Sequence, residues 1–176
     1  PGYGGAVVLA GTVFQELVVW SAGQYETSGS IQTTATVESS VMHRLKGHEG
    51  VLFSVAFHQA SKMISTTSDD RTTRLWKIEE LPEQNEGGEK QSVLMPNAAN
   101  NSLSVLDWNK VEISLHKVLS GVHTSRVFRS IFLSDWKDKT SPSNIIATAG
   151  EDSRICLWNS ETGVNFKTFV HDLEGK

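Results

Sequence analysis

Several things are scarce in this sequence, and each scarcity excludes a class of protein. Among 176 residues there is one cysteine, Cys156. An internal disulfide needs two, so a reducing compartment is expected, and a cytoplasmic location with it. No apolar run approaches the roughly 18 to 20 residues that a membrane-crossing helix needs, so no membrane role is expected. Positive charge is short as well: the formal net charge is −4 and the pI is near 5.9. That argues against a chain-wide basic sheath for DNA or RNA and leaves room only for a local basic patch. The chain opens on Pro1 rather than a methionine, so any targeting segment is expected outside it. What remains, 38% hydrophobic and 20% charged, is ordinary globular composition.

The most informative feature present is a duplication. Residues 64–76 read ISTTSDDRTTRLW and residues 146–158 read IATAGEDSRICLW. In both, an aspartate (Asp70, Asp152) precedes the tryptophan (Trp76, Trp158) by six residues, and a threonine (Thr66, Thr148) precedes it by ten. Repetition at fixed offsets signals stacked copies of a small unit that cannot bury its apolar faces alone.

Each unit has the same internal order. Residues 51–57 alternate apolar and small side chains, the period of a strand. Residues 62–67 and 72–78 form two further β-rich runs, separated by the polar turn 68–71. Just upstream lies the turn at residues 47–50, with His48. The second copy places His123 in the preceding turn and strands at 126–133, 144–148, 154–158 and 164–170, and His171 stands where a further turn would begin. A weaker copy opens the chain, with strands at 6–10 and 17–20. There Phe14 takes the aspartate position, so a polar bridge is not expected in that unit.

These units resemble the WD-repeat family, whose repeats are four-stranded propeller blades of about 40 to 45 residues. Trp76-Lys77 and Trp158-Asn159 stand where the family often has Trp-Asp. The resemblance implies an all-β fold: a partial β-propeller of two blades plus part of a third. Its expected divisions are residues 1–45 as a partial blade with a long c–d loop, 46–120 as a blade with an insert at about 79–112, and 121–176 as a blade ending at the threshold of the next. Closure takes at least about four blades, so the chain is expected to be a fragment of a larger propeller, insoluble or loosely folded alone because strand edges would be bare.

His48, Thr66 and Asp70 bring an imidazole, a hydroxyl and a carboxylate together, the ingredients of a hydrolase triad. The set recurs as His123, Thr148 and Asp152, and two copies of one brace are more plausible than two copies of one active site. In the family these residues, with Trp76 and Trp158, form a buried hydrogen-bonded bridge between turns, a structural tetrad. Cys156, flanked by Ile155 and Leu157, reads as a small buried hydrophobe. The glycines at 2, 4 and 5 lack phosphate-loop spacing, and the histidines lack metal-ligand spacing. No catalytic, cofactor or metal residues are expected, and no enzyme.

The extended loops, 21–40, 79–112 and 134–143, all fall at the end of the blades opposite the tetrad turns. They suit either a docking face or solvated insertions, and the acidic, Gly-, Asn- and Gln-rich composition of 79–101 favours a spacer. Within the insert, residues 105–108 (VLDW) are apolar enough to require cover, and Leu106 and Trp108 are expected to pack on the blade rim or on a partner.

Finer segments resemble one branch of the family: AGTVFQELVVW at 10–20, KGHEGVLFS at 46–54, SDDRTTRLWK at 68–77, HTSRVF at 123–128 and AGEDSRICLWNS at 149–160. That resemblance implies a non-catalytic partner of the enzyme that 2′-O-methylates the wobble nucleotide, position 34 of tRNA, with S-adenosylmethionine bound by the enzyme and not by this chain. tRNA is then an expected partner through the complex, and DNA is not. Arg44, Lys46, Arg126 and Arg129 are the cations placed to touch RNA, although ordinary solvated surface explains them as well. The rival expectation is a general protein-assembly scaffold, such as a ubiquitin-ligase substrate receptor or a trafficking adaptor, because propellers host many unrelated tasks.

Overall fold

The computed structural model describes residues 5–24, 41–82, 106–133 and 144–171. Most of the three long loops lies outside these, as does Val105, so the docking-face reading of those loops is not addressed by the described residues. Among the described residues there are eleven strands and no helix, in three antiparallel sheets. The first sheet holds β1 (Gly5–Gly11), β2 (Glu16–Gln24) and β3 (Val41–Lys46). The second holds β4 (Leu52–His58), β5 (Met63–Ser68), β6 (Thr73–Glu80) and β7 (Val111–Leu119). The third holds β8 (Val127–Phe132), β9 (Ile145–Gly150), β10 (Arg154–Asn159) and β11 (Asn165–Val170). Each is a simple meander in which sequence neighbours pair. The fold is an all-β partial propeller whose blades do not close into a ring.

Alternation along the strands explains how the second sheet sits between its neighbours. Successive side chains of a strand point to opposite faces. Ile64, Trp76 and Ile78 therefore face the first sheet, where they join Leu17, Val19 and Leu45 in one core. Leu75 and Leu119 face the other way and pack with Ile146, Cys156 and Trp158 of the third sheet. With both faces covered, every residue of β5 is buried. Fully buried Ile64, Leu75 and Ile78 each contribute about 1.5 to 3 kcal/mol by leaving water.

The price of such burial in β5 is four hydroxyl side chains in a row, and each has a partner. Ser65 Oγ lies 2.8 Å from Ser130 Oγ on β8, Thr67 Oγ1 donates to Ser54 Oγ at 3.0 Å, and Ser68 Oγ accepts the Asp70 N–H at 3.2 Å. Thr66 belongs to the brace described below. The third sheet differs in having one covered face. Ile155, three residues after Asp152, is 49% exposed, whereas Thr73, three residues after Asp70, is 1% exposed beneath a following sheet.

The strands reach further than expected into the 79–112 insert. β6 continues to Glu80 and β7 begins at Val111, because Ile78 and Val111 are both buried in the core shared with the first sheet.

The turns between the second and third strands of the units share one shape. Gln15, Arg71 and Ser153, each one residue after the aspartate position, have φ of 69°, 66° and 58°. The turn at Phe14 thus keeps the backbone course of its counterparts although the carboxylate is gone. Thr12 Oγ1 accepts the Phe14 N–H at 3.2 Å, as Ser68 Oγ accepts that of Asp70.

Candidate functional site

Strand pairing brings the tetrad residues of each complete unit together. Thr66 on β5 and Trp76 on β6 share a face, and the turns before β4 and after β5 carry His48 and Asp70 to the same end. His48 Nδ1 donates to Asp70 Oδ2 at 2.7 Å, while its Nε2 meets Thr66 Oγ1 at 2.8 Å. Trp76 Nε1 donates to the same Oγ1 at 3.0 Å. The third sheet repeats the arrangement. His123 Nδ1 lies 3.0 Å from Asp152 Oδ1, His123 Nε2 is 2.8 Å from Thr148 Oγ1, and Trp158 Nε1 donates to Thr148 Oγ1 at 2.8 Å.

The hydrogen-bond inventory fixes the roles. An ionised carboxylate only accepts, so Nδ1 of each histidine carries a proton. With a neutral ring, Nε2 accepts from the threonine hydroxyl, whose oxygen in turn accepts the indole N–H. Every polar atom in the chain of contacts is then satisfied. Burial by itself would raise the Asp70 carboxyl; hydrogen bonds from His48, Thr72 and the Glu49 N–H outweigh it and hold the group well below the usual carboxylate range. Asp152 is lowered likewise: burial opposes, and the Thr124 N–H, His123 and the Arg154 N–H prevail.

This geometry suits a brace better than a reaction. Thr66 and Thr148 are at most 1% exposed, and each hydroxyl already serves an imidazole and an indole. A nucleophile needs an open approach for substrate. Burial raises the Cys156 thiol, which is fully buried and faces Thr168 across the strand pair. Among the described residues no group of three or more His, Cys, Asp or Glu converges on a common point.

The four cations expected to touch RNA fall into three settings. Arg44 on β3 donates to Glu16 Oε1 at 2.5 Å, and Lys46 Nζ is 4.0 Å from Glu16 Oε2 with its side chain 76% exposed. Arg126 bridges the second and third sheets, 2.6 Å from Asp69 and 3.9 Å from Glu151. Arg129 is exposed on β8. The cations are thus not gathered into one patch, and three of them stand in ion pairs with carboxylates.

Leu106 and Trp108 are buried in the groove between the first and second sheets, in the core with Leu17, Leu45, Ile64 and Trp76. His43 Nε2 reaches the Trp108 carbonyl at 3.2 Å, and the Phe57 and Trp108 rings lie 5.7 Å apart. The insert's return therefore ties two sheets together.

One feature escaped the sequence reading. Phe53 and Phe128 occupy matching bulges on β4 and β8, where the register slips between Leu52 and Ser54 and between Val127 and Arg129. Their rings meet edge to face at 5.4 Å. The shared aromatic at the start of each first strand was the available signal.

Residues 39–77 match the family model "WD domain, G-beta repeat". The match begins before β3 of the first sheet and ends just past Trp76, so one sequence repeat straddles two sheets. The chain is 29% identical over 153 residues to the Drosophila melanogaster protein named "tRNA (34-2'-O)-methyltransferase regulator WDR6", covering 87% of this chain and 12% of that protein. Its Mus musculus counterpart is 31% identical over 77 residues, 42% of this chain and 6% of the mouse protein. The chain thus spans about an eighth or less of these relatives' length. Among solved structures, the WD40 beta propeller domain of Doa1 superimposes with a TM-score of 0.54 at 16% identity, over 95% of this chain and 37% of that one. The repeat, the braces and these likenesses agree: residues 39–77 match a WD repeat, and the chain resembles WD-repeat proteins over most of its length.

Proposed function

We propose that this chain works as part of a non-catalytic scaffold that binds a tRNA 2′-O-methyltransferase and presents tRNA for modification at nucleotide 34. The observation that carries the reading is the likeness to the fly regulator, which runs through 87% of the chain and so is longer than a single generic repeat. The physical fit is that a braced stack of sheets spends its imidazoles, hydroxyls and carboxylates on its own rigidity. Such a frame contributes to another protein's reaction by orientation, which is a large effect when a flexible loop nucleotide must enter a pocket. Anticodon loops are single-stranded RNA, the form that proteins read through stacking and base edges. In this reading Lys46 and Arg129 supply RNA contacts, with Arg44 and Arg126 behind them. The complex works in the cytoplasm, in keeping with one buried cysteine.

The test is to tag the protein on its own gene, purify it, and identify what comes with it. A methyltransferase and tRNA are expected in the eluate, and deletion of the gene should remove the 2′-O-methyl group from nucleotide 34. Intact methylation after deletion, with no methyltransferase recovered, refutes the proposal and leaves the general assembly scaffold.

A further inference from the structure

The first sheet departs from its neighbours in a way that opens a cleft. Its turn between β1 and β2 has the shape of the braced turns, but Phe14 replaces the aspartate and Ala10 stands ten residues before Trp20, where the others have threonine. The phenylalanine ring is not drawn inward in compensation; it is 81% exposed. Beside it lies a cleft of about 340 Å³ lined by Phe14, Gln15, Glu16, Lys46, Gly47 and His48. That volume is at the small end for ligand sites and suits a group of nucleobase size.

The walls differ in chemistry. His48 is held rigid by its hydrogen bonds to Asp70 and Thr66. Gly47, at φ 146°, has no side chain, and the Arg74 guanidinium occupies the space a Cβ would need. The Lys46 ammonium stands largely in water, while Arg44 is held against Glu16. Among the lining residues Lys46 is the cation and Glu16 the carboxylate; Arg44 and Arg74 stand beside the cleft, and Asp70 lies behind His48. An exposed aromatic face next to an exposed ammonium is the combination that takes an unstacked base on the ring and its phosphate on the cation.

The geometry points to a nucleotide-binding site here: Phe14 stacks one unpaired base of single-stranded RNA, Lys46 meets the adjoining phosphate, and Glu16 faces the base edge, where a carboxylate accepts from exocyclic amino groups. This rests on the proposed tRNA-associated role and names where in this chain the RNA sits. The acidic total of the chain makes the site local and salt-sensitive rather than a general coating.

The experiment uses the protein purified from its own cell with its natural partners, in wild-type form and as Phe14→Ala, Lys46→Glu and Val13→Ala. Two quantities are read from each preparation: methyltransferase recovered, and affinity for a fluorescent anticodon stem-loop and for poly(U) across a salt series. Phe14→Ala should weaken RNA binding roughly tenfold, within the range that one stacked base contributes. Lys46→Glu should weaken it and reduce the salt slope by about one. Val13→Ala, exposed in the same turn but outside the cleft, should change nothing. Because Phe14 is exposed, its replacement should leave the melting temperature intact, so lost binding does not report unfolding. Unchanged RNA affinity in both cleft variants, with methyltransferase still recovered, overturns the site and spares the scaffold role. Lost methyltransferase with unchanged RNA affinity also overturns it, making the cleft a protein contact. A wild-type preparation holding neither enzyme nor RNA overturns both readings.

Discussion

Thr66→Val is the sharpest probe of the brace, because valine keeps the side chain's shape and removes only its hydrogen-bonding capacity. Thr66 Oγ1 serves two partners, His48 Nε2 at 2.8 Å and Trp76 Nε1 at 3.0 Å, in residues that are 5% and 4% exposed. Water cannot replace the lost oxygen there, so the substitution strands one buried donor and one buried acceptor. At about 1 to 3 kcal/mol for each stranded group, the loss should be about 2 to 6 kcal/mol. Thr66→Ser keeps the hydroxyl and deletes a methyl group, which should cost about 1 kcal/mol. Equilibrium urea unfolding of the two variants separates these values. A double-mutant cycle with Trp76→Phe isolates the bond itself: removing the indole N–H relieves a stranded donor in the valine background, so the tryptophan substitution should cost less there than in the wild type. A valine variant as stable as the serine variant, or strictly additive losses in the cycle, would refute the account of the brace.

Two further outcomes follow from the same structure. Asp70 and Asp152 titrate below their usual value of 3.8 in the folded chain, so their stabilisation is complete above that pH and drains away as pH falls through the lower folded values. Unfolding free energy at fixed temperature should therefore fall below about pH 4, and Asp70→Asn should flatten that fall; a parallel acid limb in the variant contradicts it. Trp108→Ser should destabilise by about 3 to 5 kcal/mol, because the ring fills the groove between the first and second sheets. A change under about 1 kcal/mol in thermal or urea unfolding would show that the insert's return is not part of the core.

The braces were legible in the sequence because their chemistry recurs at a constant offset from a tryptophan. A side chain that does the same work in every unit leaves a periodic trace. Most contacts between sheets leave none, the Phe53–Phe128 pair at equivalent positions being an exception. Ser65 meets Ser130, yet the position of Ser65 in the next unit is Ala147, and Ser130 corresponds to Val55. Such a pair exists once, at non-equivalent positions, and spacing cannot announce it. Arg126 reads as a free cation in the sequence and stands as a bridge between Asp69 and Glu151 in the fold. Leu106 and Trp108 fell between these cases: their apolar character in a polar insert demanded cover, but only the fold shows that Leu17 and Leu45 provide it.

The contrast among the three turns carries the functional argument one step further. All three keep a left-handed residue one place after the aspartate position, so the backbone shape does not depend on the carboxylate. What the carboxylate decides is where the turn is tied. Asp70 and Asp152 hold the preceding histidine turns to the sheet and leave their polar groups spent on neighbours. Phe14 makes no such tie, and its ring stands in water beside the first residues of the next unit. The proposed RNA site thus lies at the turn where the internal bond is given up. Substituting Phe14 by aspartate in the wild-type background would restore the repeat's chemistry without restoring a threonine at position 10, and should abolish RNA stacking while adding no stability.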